Sequence, residues 1–315
     1  MTADLTCGID IGGTKIAGAV VDGEGAVLEE ARVESPATDP SAIEAAVAGL
    51  VAGLAARHPV TAVGVGAAGY IDADRSTVLF APNIAWRDEP LGRDLSHLTG
   101  LPVTIENDAN AAAWGEFRYG AGRDVEDQLM ITVGTGVGGG VIAGGRLLRG
   151  GYGVAGEIGH LCVVPDGRQC GCGNRGCFEQ YGSGSALVRA TREAAVGPSL
   201  LARDLLDRAS GDPAAITGPL ITAAAQEGDR FAIEQLRSLG RWLGHGIASL
   251  VAVLDPAVIV IGGGVSEAGD LLLGPIRDTF ANALTGRGYR PQAEIRPAVL
   301  GNRAGVIGAA DLART

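Results

Sequence analysis

One pattern occurs twice in the chain. "CGIDIGGTKIAGAVVDG" and "LMITVGTGVGGGVIAGG" both read as strand, glycine turn, strand, turn, and a shift of 122 residues places Ile9 on Ile131, Gly12 on Gly134, Gly18 on Gly140 and Gly23 on Gly145. A hairpin repeated at that distance predicts two similar α/β halves that face each other across a cleft, where a ligand would sit. At 315 residues the chain is long enough for two domains, each with its own core.

The segments between the hairpins support this. The first hairpin continues into a third strand through Asp22-Gly23 and Glu24-Gly25. Ser41 to His58 reads as an amphipathic helix opened by a capping box of Ser41 and Glu44. "TAVGVGAAGYI" is a buried strand running into a glycine loop, and "LPVTIEND" is a strand that ends in polar residues just before the helix "NAAAWGEFRY". Residues 183 to 254 are mostly helical, "AVIVIGGGVS" is another buried strand, and "NRAGVIGAADLA" is a last helix. Strands alternating with helices point to α/β architecture.

Composition excludes several classes. Hydrophobic residues make up 46% of the chain, with 51 glycines, which describes a compact soluble protein rich in tight turns. No run reaches the ~18 apolar residues of a membrane span, and "MTADLTCGIDIGG" lacks the basic and apolar regions of a signal peptide. The expected location is cytoplasmic, where thiols stay reduced and clustered cysteines point to metal rather than disulfides. A net charge of −11 argues against nucleic acid as a partner. It leaves nucleotides open, because a phosphate site can be built from backbone N–H groups.

Three glycine turns are candidates for such a site. In "DIGGTK", Gly12 and Gly13 let backbone N–H groups approach an anion, Thr14 adds a hydroxyl, Lys15 (the only lysine) adds charge, and Asp10 can hold a metal-bound water. In "VGTGVGGG", Gly134, Thr135 and Gly136 form a similar turn that matches neither the P-loop nor the dinucleotide fingerprint. "IGGGVS", with Gly262, Gly263 and Gly264, can pass beneath an adenine ring or be a tight strand-to-helix connection. Each turn alone can be a plain connection; two phosphate-type hairpins in one chain favour the nucleotide reading.

The remaining signals are polar. "IENDAN" puts Asn107 and Asp108 at a strand end, where they can cap the next helix or place Asp108 as a general base. "GEIGH" is followed by "CGCGNRGCFE", and the spacing His160-x9-Cys170-x-Cys172-x4-Cys177 gives four N/S ligands suited to closed tetrahedral zinc; a metal-free cluster of reduced thiols is the alternative. Cys7 and Cys162 lie in strand-like apolar runs and read as small core residues.

Taken in order, "DIGGTK", "END" at 106–108, "GEIGH" and "CGCGNRGCFE" resemble the ROK family of sugar kinases over nearly the whole chain. The resemblance implies an α/β fold of two actin-like (ribonuclease H-like) domains flanking a cleft, of ROK/hexokinase type, with a structural zinc loop. The small domain would comprise residues 1–107 plus 300–315, and the large domain 108–299 with the zinc loop at 160–177. It further implies ATP-dependent phosphorylation of glucose at the 6-hydroxyl, with Asp108 as base. Asn107, Glu157, His160 and Glu179 would bind the other hydroxyls, and Gly69 and Asn83 would be further contacts. ATP with Mg²⁺ would be held by the two hairpins and "IGGGVS", zinc by His160, Cys170, Cys172 and Cys177, and the assembly would be a homodimer or homotetramer. Mannose, fructose and N-acetylmannosamine are alternative substrates. A sugar sensor and an actin-like ATPase are the rivals outside this reaction. ROK repressors carry a winged helix ahead of the kinase-like part, and a first strand near residue 5 makes a kinase the expectation here.

Overall fold

The computed structural model describes residues 4–81, 84–196 and 200–314. In chain order the elements are β1 (Leu5–Ile11), β2 (Lys15–Val21), β3 (Val27–Glu34), α1 (Pro40–Ala55), β4 (Val60–Ala67), β5 (Tyr70–Ile71), β6 (Val78–Phe80), β7 (Arg87–Glu89), α2 (Leu91–Thr99), β8 (Val103–Asn107) and α3 (Asp108–Tyr119). They continue as β9 (Gln128–Val133), β10 (Val137–Ala143), β11 (Arg146–Leu147), α4 (Glu179–Gly182), α5 (Gly184–Ala195), α6 (Arg203–Arg208), α7 (Gly218–Gln226) and α8 (Arg230–Leu254). The last are β12 (Val258–Gly262), α9 (Asp270–Ala283), β13 (Glu294–Pro297) and α10 (Ala304–Leu312).

Two five-stranded sheets have the orders β3-β2-β1-β4-β8 and β11-β10-β9-β12-β13, and β5-β6-β7 form a third, small sheet. The repeat read from the sequence is real at the level of strands: shifting β2 by 122 residues lands on β10 residue for residue. In the first sheet β2 runs antiparallel to β1 and β3, while β1, β4 and β8 are parallel, with Asp10, Gly66 and Glu106 in register. The carboxyl ends of these three strands therefore share one edge, the edge at which open α/β sheets bind ligands.

Contacts divide the chain into two compact units. Unit 1 is Met1–Leu129, Gly139–Glu157 and Ala298–Thr315; unit 2 is Met130–Gly138 and Ile158–Pro297. The sequence reading put a boundary at residue 107, whereas by contacts α3 lies with unit 1. The reason is α10, which packs on α3 and on β1 together. In β1, Cys7, Ile9 and Ile11 join a core that includes Ile43, Val47, Val51 and Leu54 of α1. The alternate residues meet α10: Thr6 Oγ1 donates to the Ala310 carbonyl at 2.8 Å, and a Cβ on Gly8 would lie 1.8 Å from the Val306 carbonyl oxygen.

Two local expectations change. Helix α1 is capped by Asp39, whose carboxylate accepts the Ala42 N–H at 3.2 Å, rather than by Ser41. Pro40 explains this, since its fixed φ and missing N–H suit the first helical position and push the cap one residue earlier. Cys7 is buried as expected, but Cys162 is exposed and pairs across a β-bridge with Cys177.

The glycine contacts yield a test. A Cβ on Gly308 would lie 1.8 Å from the backbone oxygen of Ala111, while nothing lies within 4 Å of one on Gly49 in α1. Both sites are helical, where alanine is intrinsically favoured by about 1 kcal/mol. Gly49→Ala should gain up to about that much in urea unfolding, and Gly308→Ala should lose roughly 1–3 kcal/mol because backbone cannot yield to the new methyl. A neutral or stabilising Gly308→Ala would refute the close approach.

Candidate functional site

In unit 1 the candidate residues collect at the shared strand edge. Asn107 caps α3, its Oδ1 accepting the Asn110 N–H at 3.0 Å and its Nδ2 donating to the Gly69 carbonyl at 3.1 Å. Asp108 is therefore not needed as the cap; its Oδ1 accepts the Ala109 N–H at 2.9 Å. Asp10 is the penultimate residue of β1, beside Gly305 at the start of α10, with Oδ2 3.4 Å from where a Gly305 Cβ would stand. Gly12 closes the β1–β2 turn by donating its N–H to the Lys15 carbonyl at 3.0 Å, which leaves Gly13, Thr14 and Lys15 exposed at the tip. Glu157 ends a glycine-rich loop of the same unit, and Asn83 lies outside the described residues.

Two carboxylates share this edge. Burial, and then the neighbouring Asp108 charge, pushes Asp10 from 3.8 up to about 6. Burial likewise pushes Asp108 above the ordinary 3.8, outweighing the hydrogen bond from the Ala109 N–H. Both groups hold protons more tightly folded than unfolded. Their contribution to stability is thus fullest below about 3.8, and for Asp10 it is lost as pH rises through about 6. Strained carboxylates of this kind suit a site that meets a proton donor or a cation.

In unit 2, Ile158–His160 forms one 3-10 turn, and the segment after it folds into a miniature hairpin through the bridges Cys162↔Cys177 and Gln169↔Arg175. Its tip is closed by the Cys170 N–H donating to Asn174 at 2.9 Å and the Gly173 N–H donating to Cys170 at 3.1 Å. The ligand atoms of His160, Cys170, Cys172 and Cys177 consequently lie within 4.8 Å of one another. Cys172 Sγ is 3.6 Å from Cys177 Sγ, and Cys170 Sγ is 3.7 Å from His160 Nδ1. Tetrahedral zinc with bonds of roughly 2.3 Å to sulfur sets its sulfurs roughly 3.8 Å apart, so this donor set fits the ion. Burial pushes Cys170 up to about 12. At Cys172 burial acts the same way but is outweighed by the Asn174 N–H and the other two thiols, which draw it down.

The hairpin also delivers Glu179. Phe178 is fully buried, and its N–H donates to the Leu161 carbonyl at 2.8 Å, which fixes the next residue at the start of α4. Glu179 Oε1 accepts from Cys170 Sγ at 3.0 Å and lies 4.0 Å from His160 Nδ1. The β9–β10 turn passes close by, since a Cβ on Gly136 would be 2.8 Å from Glu179 Oε2.

Unit 2 further contains a cavity of about 940 Å³ between α5 and α7. Gly134 and Thr135 of the second glycine turn and Gly264 of "IGGGVS" line it, with Val188, Thr222 and Gln226 among the walls. Gly262 and Gly263 are not among the lining residues; Gly262 is the buried end of β12. The Gly134 carbonyl accepts the Gly184 N–H at 2.7 Å, which ties the turn to the first residue of α5.

The ROK family model matches residues 6–315. The chain belongs to the ROK family. A glucokinase of Streptomyces coelicolor is 51% identical over 310 residues, spanning 98% of each chain. A glucokinase of Halalkalibacterium halodurans is 39% identical, over 96% of this chain and 92% of its own. The crystal structure of a ROK family glucokinase from Streptomyces griseus, in complex with glucose and AMPPNP, matches with a TM-score of 0.90 at 52% identity and covers 98% of this chain and 99% of that one.

Within this ROK chain, sequence reasoning missed an ion pair beside the site. Glu106 and Arg149 are paired at 2.8 Å in unit 1, and their only signals were a glutamate in the apolar strand "VTIEN" and an arginine before a glycine run. The carboxylate pair is testable directly. Carbon-detected NMR of the side chains should show Asp10 titrating near pH 6, and Asp108→Asn should lower that midpoint by removing the adjacent charge. An Asp10 midpoint near 4 in the unmodified protein would remove the electrostatic argument.

Proposed function

We propose that this chain transfers the γ-phosphoryl group of MgATP to the 6-hydroxyl of glucose. The observation that carries this reading is the match over almost the whole chain to a glucokinase holding glucose and AMPPNP; the buried, upward-shifted carboxylate of Asp108 supports it. Asp108 takes the proton of the attacking 6-hydroxyl. A carboxylate lifted toward neutrality is a better proton acceptor than an ordinary one, and its Oδ1 is oriented by the Ala109 N–H.

Asn107 spends Oδ1 on the helix cap and one Nδ2 hydrogen on Gly69, so its second Nδ2 hydrogen is available to a sugar oxygen. Glu157, His160 and Glu179 contact the remaining hydroxyls, with Gly69 and Asn83 as further contacts. His160 turns Nδ1 toward the thiols; with that nitrogen bound, Nε2 must carry the proton and becomes a fixed donor. His160, Cys170, Cys172 and Cys177 would hold zinc, whose contribution is to fix the histidine and the loop that leads to Glu179, since four protein ligands leave it no open position. Asp10, Gly12, Gly13, Thr14 and Lys15, together with Gly134, Thr135 and Gly136, meet the phosphates and magnesium of the nucleotide, and the cavity lined by Gly264 takes the adenosine, with Gly262 and Gly263 shaping the turn. Phosphoryl transfer asks the protein mainly to position and neutralise. The reading extends to a cytoplasmic homodimer or homotetramer.

The test is ADP release with MgATP and glucose, mannose, fructose or N-acetylmannosamine. Glucose should be preferred, and Asp108→Asn should lower kcat by ~10²–10⁴-fold while glucose Kd changes little. Near-normal kcat in that variant would sink the base assignment; turnover confined to another hexose would replace the substrate. Because Asp108 is pushed upward, kcat should fall on acidification at a pH above the ordinary carboxylate value. For the metal, elemental analysis should find one zinc per chain, and Cys172→Ser should lose zinc and glucose affinity together. Unchanged glucose binding in a zinc-free variant would overturn the role given to His160.

A further inference from the structure

We propose that Glu106 is a positioning residue for this reaction: through Arg149 it locks the strand end that presents Asp108 to the loop that presents Glu157. The inference rests on the roles proposed above for those two residues. Glu106 is only 1% exposed, and a charge so deeply buried needs partners on both oxygens. Oε1 accepts the Asn107 N–H at 2.9 Å and Asn110 Nδ2 at 3.1 Å, which holds the first turn of α3 around Asp108. A carboxylate can only accept, so the Asn110 amide has one orientation open to it.

Oε2 faces the other way, 2.8 Å from Arg149 Nε and 3.4 Å from Arg75 Nε. The other two nitrogens of Arg149 donate to the carbonyls of Ala73 and Asp72, both at 2.8 Å, while Nε meets Oε2 as a close charge contact that is not aligned as a hydrogen bond. Those carbonyls are themselves held. The Asp72 carboxylate accepts the N–H groups of Ser76 and Thr77 at 2.8 and 3.1 Å, and the Arg75 carbonyl accepts the Ile105 N–H of β8 at 2.9 Å.

Arg149 begins the loop that ends at Glu157. Its carbonyl accepts the Ala155 N–H at 3.1 Å, and a Cβ on Gly153 would be 2.5 Å from the Ile71 carbonyl oxygen. The loop is thereby held against the β5–β6 turn at its head and in its middle. Glu106 faces this assembly and the Asn107-Asp108 segment at once, from within unit 1. It acts through other residues and touches no substrate in this scheme.

The two oxygens make separable predictions. Glu106→Gln keeps the shape, cancels the charge that two guanidiniums face and disturbs both arms, so it should lower kcat and raise glucose KM, each ~10–100-fold, with the KM for MgATP unchanged. Arg149→Lys keeps a cation for Oε2 but loses the fork to Ala73 and Asp72. It should raise glucose KM while kcat falls no more than about threefold. Thr6→Val, which removes a buried hydrogen bond elsewhere in unit 1, serves as the stability control: its melting temperature should fall with both constants unchanged. All assays are run well below each variant's melting temperature, with glucose Kd from tryptophan fluorescence as a readout independent of turnover. If Glu106→Gln does not fold, Arg149→Lys decides the matter. Lower melting temperatures with normal kcat, KM and Kd would overturn the proposal and leave Glu106 a stabilising residue only. Asp108→Asn measured alongside separates the failures: if it is inactive and the Glu106 and Arg149 variants are kinetically normal, the positioning idea alone is wrong, whereas an active Asp108→Asn brings down the reading beneath it.

Discussion

At Gly8 and Gly64 no side chain separates α10 from the sheet it covers. A Cβ on Gly8 or on Gly64 would stand 1.8 Å from a carbonyl oxygen of α10, and one on Gly308 would stand 1.8 Å from a carbonyl of α3. Helix and sheet thus meet backbone to backbone on two sides of α10. Such contacts have no soft rotamers to absorb a change, so the spacing of β1, β4 and α3 is set rigidly. Asp108 inherits its position from that spacing, because it is the first residue of α3.

Polar groups then fix α3 along its length. Asp311 of α10, 3% exposed, accepts Trp114 Nε1 at 2.7 Å and Arg118 Nη1 at 3.0 Å, and it also pairs with Tyr119 and Arg314. Glu116, fully buried, accepts the N–H groups of Val299 and Leu300 at 2.9 and 2.7 Å and so ties the approach to α10 onto the same helix. Each buried carboxylate here is satisfied several times over, as burial of charge demands. Asp10 and Asp108 are the contrast: two acids left close together at a strand edge, with pKa values pushed upward. The difference separates the carboxylates that hold the fold together from the two that are proposed to meet a ligand.

Much of this was legible in the sequence where the signal is local. The two hairpins announce themselves because glycine turns and apolar strands sit at fixed offsets, and the metal-type cluster because four ligands lie within eighteen residues of one another, His160 to Cys177. The small β5-β6-β7 sheet was invisible, since strands of two or three residues are too short to show a period. Cys162 read as core because its neighbours are apolar, yet its place opposite Cys177 in a small hairpin leaves it exposed. The Glu106–Arg149 pair, and the membership of α3 in unit 1, depend on segments far apart in the chain. Periodicity cannot report such pairings: the segment Gly139–Glu157 brings Arg149 back to unit 1, and the return of the chain through Ala298 to Thr315 packs α10 on α3.

That return has a consequence for the order in which the protein is made. Unit 1 lacks its covering helix until residues 304–312 are synthesised, long after Leu129. At ~5–20 residues per second the delay is on the order of ten seconds or more. During that interval β1 and β4 present the glycine-lined face that α10 will cover, and the backbone of Gly8 and Gly64 stands bare to any other chain. Nascent chains of this design should need shielding on the ribosome at this sheet, which emerges well before the helix that covers it.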